Sequence, residues 1–303
     1  MIDSVFIRLG VASLFILAAS AHASTPITKL QVIDDKGRLV SLPQAAERII
    51  ALAPHITENL YAIGAGERIV GTVSYSDYPA AAEQIPRVGG YHQIDLEGIL
   101  AKQPDLVIAW RSGNPQAPLQ HLEQLGITVY YSEPRRFADV ADNLRRLGQL
   151  TGTALQAEAV AQRFEADIEQ LRNRYGERAP VSVFYQIWEQ PLMTINRDHL
   201  IHEAIATCGG VNVFADLPRL APRISREAVL ERNPDAIIGG GMGEDNPEWI
   251  PAWRRWPQLN AVAHNQLFFI PPSLLQRHTV RIVEGMTMLC EQLDTVRHNR
   301  ENG

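Results

Sequence analysis

The sequence predicts an α/β fold of two lobes, each built on a mainly parallel sheet, joined by one long rigid helix. Three observations lead there. Short apolar, β-branched runs alternate with helical periods over residues 48–131 and again over 181–296, the pattern of parallel strands covered by helices on both faces. Between the two series lies TGTALQAEAVAQRFEADIEQLRNRYGER, one continuous helical period. The stretch DLEGILAKQPDLVI at 95–108 returns without a gap as SREAVLERNPDAII at 225–238, so one supersecondary unit recurs in each half. The chain of 303 residues also exceeds what one core usually organises, which favours two domains.

In chain order, MIDSVFIRLGVASLFILAASAHAS comes first, with Arg8, an apolar run from Leu9 to Ala19, and Ala21-His22-Ala23. This reads as a secretory signal spanning residues 1–23, although Asp3 weakens its basic start. The apolar run, about 11 residues, is shorter than the roughly 20 a spanning helix needs. No later segment is long and apolar enough to cross a bilayer, and no cysteine near the cleavage site offers a lipid attachment point. The mature chain is expected to be soluble.

The N-terminal lobe is assigned to 24–150. Strands are expected at Ile49 to Ala53, Arg68 to Val73, Leu106 to Trp110 and Ile127 to Tyr131, and helices from Thr57, Leu96 and Pro118. The interlobe helix occupies 151–178. Its apolar residues Leu155, Val160, Phe164, Ile168, Leu171 and Tyr175 recur at helical spacing; Thr153 and Gln156 suggest a capping box and Gly176 a stop. A helix of about 22 residues would span about 33 Å. It reads as a strut between the lobes, with an ordinary domain helix as the alternative.

The C-terminal lobe is assigned to 179–303. Strands are expected at Val181 to Ile187, Ala236 to Gly239 and Leu267 to Ile270, and helices at Asp198 to Thr207, from Arg226, and from Thr279 to Val296. Trp249, Trp253 and Trp256 in PEWIPAWRRW read as a helix packed on this lobe.

In each copy of the repeat a capping residue, Asp95 or Ser225, starts a helix, and the apolar residues at 99, 100, 229 and 230 face a core. Pro-Asp then breaks the helix and a buried strand follows. Each copy also carries an acid two residues past its cap, Glu97 and Glu227. The positive helix N-terminus favours an acid there by about 0.3–1 kcal/mol, which suffices to explain either one alone. Together they can also serve as matched charged pegs, one per lobe, for a two-sided partner.

Formal charge is −6 with both signs interspersed, which argues against nucleic acid or an anionic membrane as the main partner. The only two cysteines are Cys208 and Cys290. An isolated pair in an exported protein most simply forms one disulfide, with two free thiols as the alternative. Neither lies in a CxxC, so zinc binding through them is not expected.

The segments SYSDYP (74–79), DLEGILAKQPDLVIAWRSGN (95–114), CGGVNVF (208–214), SREAVL (225–230) and RHTVRI (277–282) resemble the helical-backbone, class III family of periplasmic substrate-binding proteins. These feed metal-chelate importers, and the likeness is greatest to the cobalamin-binding group. It extends over about residues 46–293. It implies two Rossmann-like lobes, a monomer, cobalamin carried as a transported ligand, no catalytic cofactor, and delivery to the permease dimer of an ABC importer in the inner membrane. In that family a glutamate on each repeat helix docks an arginine pocket of the transporter, and the matching residues are Glu97 and Glu227. The cysteine pair sits where the cobalamin binders have a disulfide.

A corrin ring is a broad apolar disc with an amide fringe, so its site should be a cleft with flat walls and a few donors and acceptors. Tyr75, Tyr91, Trp110 and Arg111 fall at strand ends or in the loops after them, where open α/β sheets bind ligands. Trp188 and Arg277 match cleft-facing positions of the second lobe. His55, His92 and His278 fall near the same cleft. An imidazole there is chemically able to coordinate cobalt or iron, but a hydrogen-bonding role is the simpler reading. His55 is counted with the ligand set and no metal ligand is assigned. The chain departs from the nearest family members at Ala221 or a neighbour in LAPRISRE, where they carry a tryptophan before SRE, and around Ser273, where they carry an acid. Two rival readings are a receptor for haem or a ferric siderophore, and an exported α/β enzyme. The first calls for several basic residues in the cleft, where Arg111 and Arg277 are placed and Arg223 is available. The second lacks GxSxG, HExxH or a flanked GxGxxG.

Overall fold

The computed structural model describes residues 29–90, 93–240, 244 and 249–302. The leader at 1–23, Tyr91 and His92 lie outside the described residues. The described chain begins with a hairpin, β1 (Leu30–Ile33) and β2 (Leu39–Leu42), that the sequence reading did not include. The N-terminal lobe follows, with β3 (Ile49–Ala51), α1 (Pro54–Ala62), β4 (Ile69–Thr72), α2 (Leu96–Ala101), β5 (Leu106–Trp110), α3 (Gln116–Gln124) and β6 (Val129–Ser132). Two long helices come next, α4 (Phe137–Thr151) and α5 (Ala154–Tyr175). The C-terminal lobe contains β7 (Val181–Gln186), α6 (Leu200–Thr207), β8 (Gly210–Asn212), α7 (Arg226–Arg232), β9 (Ala236–Gly239), α8 (Asn260–Ala263), β10 (Leu267–Phe269), α9 (Pro272–Leu275) and α10 (Ile282–Asn302).

Both lobe sheets are four-stranded and parallel, in the orders β4-β3-β5-β6 and β8-β7-β9-β10. Counted within each lobe, the order is the same. The strand order reverses between the first and third strands, and the crevice at their carboxyl ends is where such sheets accept ligands. The repeat occupies equivalent places: α2 leads into β5 and α7 into β9, the third strand of each sheet. Asp95 caps α2 by accepting from Gly98 N–H at 2.9 Å, and Ser225 caps α7 by accepting from Ala228 N–H at 3.2 Å. Ile99 and Val229 are fully buried on the outer faces of their sheets, while Leu100, expected inward, is exposed. The Pro-Asp pair ties the third strand to the start of the first. Asp105 accepts from the backbone N–H groups of Glu47 and Arg48, and Asp235 from the Ser182 N–H.

The inner faces of both sheets share one apolar core. It runs from Ile49 through Leu144 of α4 and Phe164, Ile168 and Leu171 of α5 to Val183, Ile205 and Leu293. The inner stripe of α5 is therefore continuous with both lobes while its outer face is solvated. Arg145 of α4 forks onto Glu158 and Glu165 of α5 at 2.8–3.2 Å, clamping the two helices. The expected capping box at the start of α5 is absent. Thr153 makes no cap bond, since its hydroxyl pairs with Thr151 at 2.9 Å, and Gln156 lies against Gly64 instead. Cys208, just past α6, and Cys290 of α10 form a disulfide. The tryptophan segment is a short 3-10 turn at Pro251–Arg255 rather than a full helix, with Trp249 and Trp253 buried.

Candidate functional site

The crevice between the lobes is a cavity of about 390 Å³. The N-terminal lobe contributes Pro54, His55, Tyr75, Asp77 and Trp110. The C-terminal lobe contributes Glu244, Ser273, Gln276, Arg277 and His278, with Pro272.

Each wall residue is held by its own stretch of sequence. Trp110 ends β5, where the Asn114 side chain accepts its backbone N–H at 2.7 Å and donates at 2.9 Å to the carbonyl of Leu52, just past the neighbouring strand β3. This is what Asn114 does in AWRSGN. A Cβ on Gly113 would stand 1.9 Å from the indole, so the ring keeps its place only because residue 113 has no side chain. In SYSDYP, Ser76 is buried and accepts from Thr72 at 2.8 Å, while Thr57 and Thr72 pair at 2.7 Å and Arg87 holds the Ser76 carbonyl at 2.9 Å. With Ser76 anchored, Tyr75 is pushed to φ +66° and left 71% exposed. A non-glycine residue in that region costs about 1–3 kcal/mol and is most often retained at a working site.

The floor is a row of rings. His55 meets Trp110 edge-on at 5.6 Å and His278 at 5.5 Å, and His278 lies 6.2 Å from His199. Burial keeps all three imidazoles neutral: His278 is pushed down to about 4 and His199 to about 3, each mainly by desolvation, and His55 falls well below its usual value for the same reason. His55 Nε2, His278 Nδ1 and Trp110 Nε1 are buried without a hydrogen-bond partner. Because His55 Nε2 is covered, coordination of a metal through it would require the ring to leave its place. Among the described residues no cluster of three His, Cys, Asp or Glu is arranged for a metal ion.

Charge is concentrated where the lobes touch. Arg277 donates to Glu58 at 2.6 Å, to Asp77 at 2.7 Å, and to the Tyr75 carbonyl at 3.1 Å. Burial pushes the Glu58 carboxyl up, against the pull of Arg277. Burial would raise Asp77 as well, but the Arg277 hydrogen bond and charge outweigh it and hold that carboxyl below its usual value. Sequence reading missed Glu58, Asp77, Glu244 and Gln276. The Arg277 pairs join residues 219 and 200 positions apart, beyond any local pattern. Glu244 accepts from the Ser273 N–H at 3.2 Å and hydroxyl at 2.7 Å, so a carboxylate stands beside position 273 although residue 273 is not acidic.

Two of the expected ligand residues are elsewhere. Arg111 donates to the Asp35 carbonyl at 2.8 Å, an acceptor supplied by the β1–β2 hairpin, and does not line the cavity. Trp188 is partly exposed, donates to the Gln190 carbonyl at 3.0 Å, and is also not part of the lining. Glu97 and Glu227 are exposed at the starts of α2 and α7. Glu227 is held below the usual carboxylate range by its own backbone N–H and by the Ser225 hydroxyl.

Two similar parallel lobes, a shared helical backbone and a cleft at both switch points define the class: a two-lobed, cleft-bearing α/β architecture of the kind found in binding proteins. Comparison with known proteins narrows this. Residues 49–274 match the family described as periplasmic binding protein, and the chain belongs to it. It is 37% identical over 256 residues to the vitamin B12-binding protein of Vibrio cholerae serotype O1, covering 84% of this chain and 92% of the relative. It is 37% identical over 259 residues to the vitamin B12-binding protein of Yersinia pestis, covering 85% and 90%. The crystal structure of the periplasmic vitamin B12-binding protein of Vibrio cholerae superposes with a TM-score of 0.76 at 36% identity, covering 83% of this chain and 98% of that one.

Proposed function

We propose that this protein captures cobalamin in the interlobe cleft and presents it to an ABC importer in the inner membrane. The relatives named above bind vitamin B12, and the observation here that carries the reading is the charge inventory of the cleft. Among the described lining residues Arg277 is the one cation, since the histidines are neutral, and its guanidinium is occupied by Glu58 and Asp77. A haem with its propionates, or a ferric catecholate, would enter a site with no uncompensated positive charge. A neutral disc with amide donors meets the flat faces of Tyr75 and Trp110 and the acceptors Asp77 and Glu244. The protein acts without turnover, as a periplasmic monomer freed of its leader at 1–23, with lobes at 24–150 and 179–303 and the connecting segment 151–178. Glu97 and Glu227 are its contacts to the two permease subunits.

The test is retention of ligand. Protein incubated separately with cyanocobalamin, haemin and a ferric catecholate is desalted and its absorbance read. Corrin bands at a one-to-one ratio are expected; a retained Soret band or iron–catecholate band with no corrin would replace this reading with its rival.

A further inference from the structure

Arg277 leaves the C-terminal lobe between α9 and α10 and ends among groups of the N-terminal lobe. Its Nη1 donates to Glu58 and Asp77, and its Nη2 to the Tyr75 carbonyl at 3.1 Å and to Asp77 at 3.3 Å. The two hydrogens on each of these nitrogens are thereby taken by protein acceptors, so neither has a donor left for a ligand. We propose that Arg277 is a positioning residue of the cleft: it acts through Tyr75, holding that aromatic wall in place from the opposite lobe. The proposal rests on the cleft being the ligand site.

The loop that carries Tyr75 is fixed at two points. Ser76, on one side, is bound into the Thr57–Thr72 hydroxyl network of its own lobe. The Tyr75 carbonyl and the Asp77 carboxylate are bound by Arg277 from across the gap. Between these anchors Tyr75 takes its φ of +66°, a conformation that relaxes unless the surroundings enforce it. Glu58 completes the tie. Its side chain is 3% exposed and is paired with Arg277 and, at 3.5 Å, with Arg281, whose guanidinium lies 3.8 Å over the Tyr78 ring. The placement of the Tyr75 ring and the approach of the lobes are therefore one property of the molecule. A second lobe-to-lobe bond, from Asn59 Nδ2 to the His278 carbonyl at 3.0 Å, runs alongside it.

The test has an arm that needs no ligand. In free protein, amide hydrogen exchange is followed at Ser74 and Ser76, whose N–H groups bond Gly89 and Val73 carbonyls, with β5 as the internal reference. Arg277→Met is expected to speed exchange at these amides about tenfold while β5 is unchanged. Because that variant strands the buried Glu58 carboxylate, Asp77→Asn, at a half-exposed side chain, is the second variant and should change exchange in the same direction. With cyanocobalamin, Arg277→Met and Tyr75→Ala should each raise Kd about tenfold and the double variant no further, since both remove one coupled feature. Unchanged exchange in both variants, or about a hundredfold loss in the double variant, would overturn the proposal and make Arg277 an independent contact. If the wild type binds no cobalamin, the functional reading falls and the exchange arm still decides what Arg277 does.

Discussion

The two lobes have the same strand order and the same capped helix, Pro-Asp break and buried strand, yet they furnish the cleft differently. The N-terminal lobe offers aromatic faces: Trp110, braced by Asn114 of its own lobe, and Tyr75, whose carbonyl is bound by Arg277 from across the seam. The C-terminal lobe offers polar ends, Gln276, Ser273 with Glu244, and an arginine that reaches across the seam. Topology is thus repeated where it sets the position of the cleft and of the exposed acids, and sequence diverges in the residues that line the cleft. The difference teaches that the repeat belongs to the frame and that chemistry is added at the strand ends.

The largest expected effect concerns the symmetric pegs. Glu97→Ala with Glu227→Ala should abolish cobalamin uptake by reconstituted importer, each charge pair lost at an interface costing about 2–5 kcal/mol, while ligand affinity stays at the wild-type value. The single variants should be impaired alike. A variant crippled on one lobe only would break the equivalence.

The next effect belongs to one lobe. Replacing Cys208 and Cys290 by alanine opens a loop closed over a separation of 82 residues and should lower stability by about 4 kcal/mol, read as a lower urea midpoint. No midpoint change would show that α6 and α10 are held by packing alone.

Acid should loosen the seam. His278 and His199 stay neutral in the fold with values near 4 and 3, whereas unfolded histidine titrates near 6.5. Between these values the unfolded chain takes up protons that the native state does not, so the contribution is full above about pH 6.5 and is lost as pH falls toward 4. Thermal melts should show this decline, on the order of 3 kcal/mol for His278, and His278→Gln should flatten it. Glu58, with its carboxyl raised, contributes in the opposite sense. A melting temperature flat from pH 7 to 4 would contradict the buried neutral row.

The smallest effect tests the Pro-Asp unit. Asp105→Ala and Asp235→Ala each remove bonds to the first strand of their sheet and should cost about 1–2 kcal/mol, with Asp235 the greater because it also pairs with Arg300.

Much of this frame was legible in the sequence. Buried parallel strands are continuous apolar runs, so Leu106–Trp110 and Ala236–Gly239 stood at their observed limits, and the helix ending at Tyr175 was plain from its spacing. The helix α4 was not read, although Val140, Leu144 and Leu147 keep helical spacing. Gly148 interrupts the pattern, and it is there because α4 crosses α5 so closely that a Cβ would meet Ala157 at 2.3 Å. Overlooking the β1–β2 hairpin had a consequence at the site, since the hairpin region supplies the carbonyl that draws Arg111 away. Tyr75, Trp110 and His55 were legible because strand ends of an open sheet point at the crevice, whereas Arg277, between α9 and α10, was placed by the family resemblance alone. The partners of Arg277 were not legible, because ion pairs that close only when the lobes meet leave no local signature.

The most direct test of the central claim is a calorimetric titration of the purified protein with cyanocobalamin, repeated on Tyr75→Ala and Trp110→Ala. One molecule bound per chain at micromolar or tighter Kd, weakened about tenfold or more by either substitution, is the expected result. Absence of binding, or binding that neither substitution changes, would contradict a cobalamin cleft walled by these two rings.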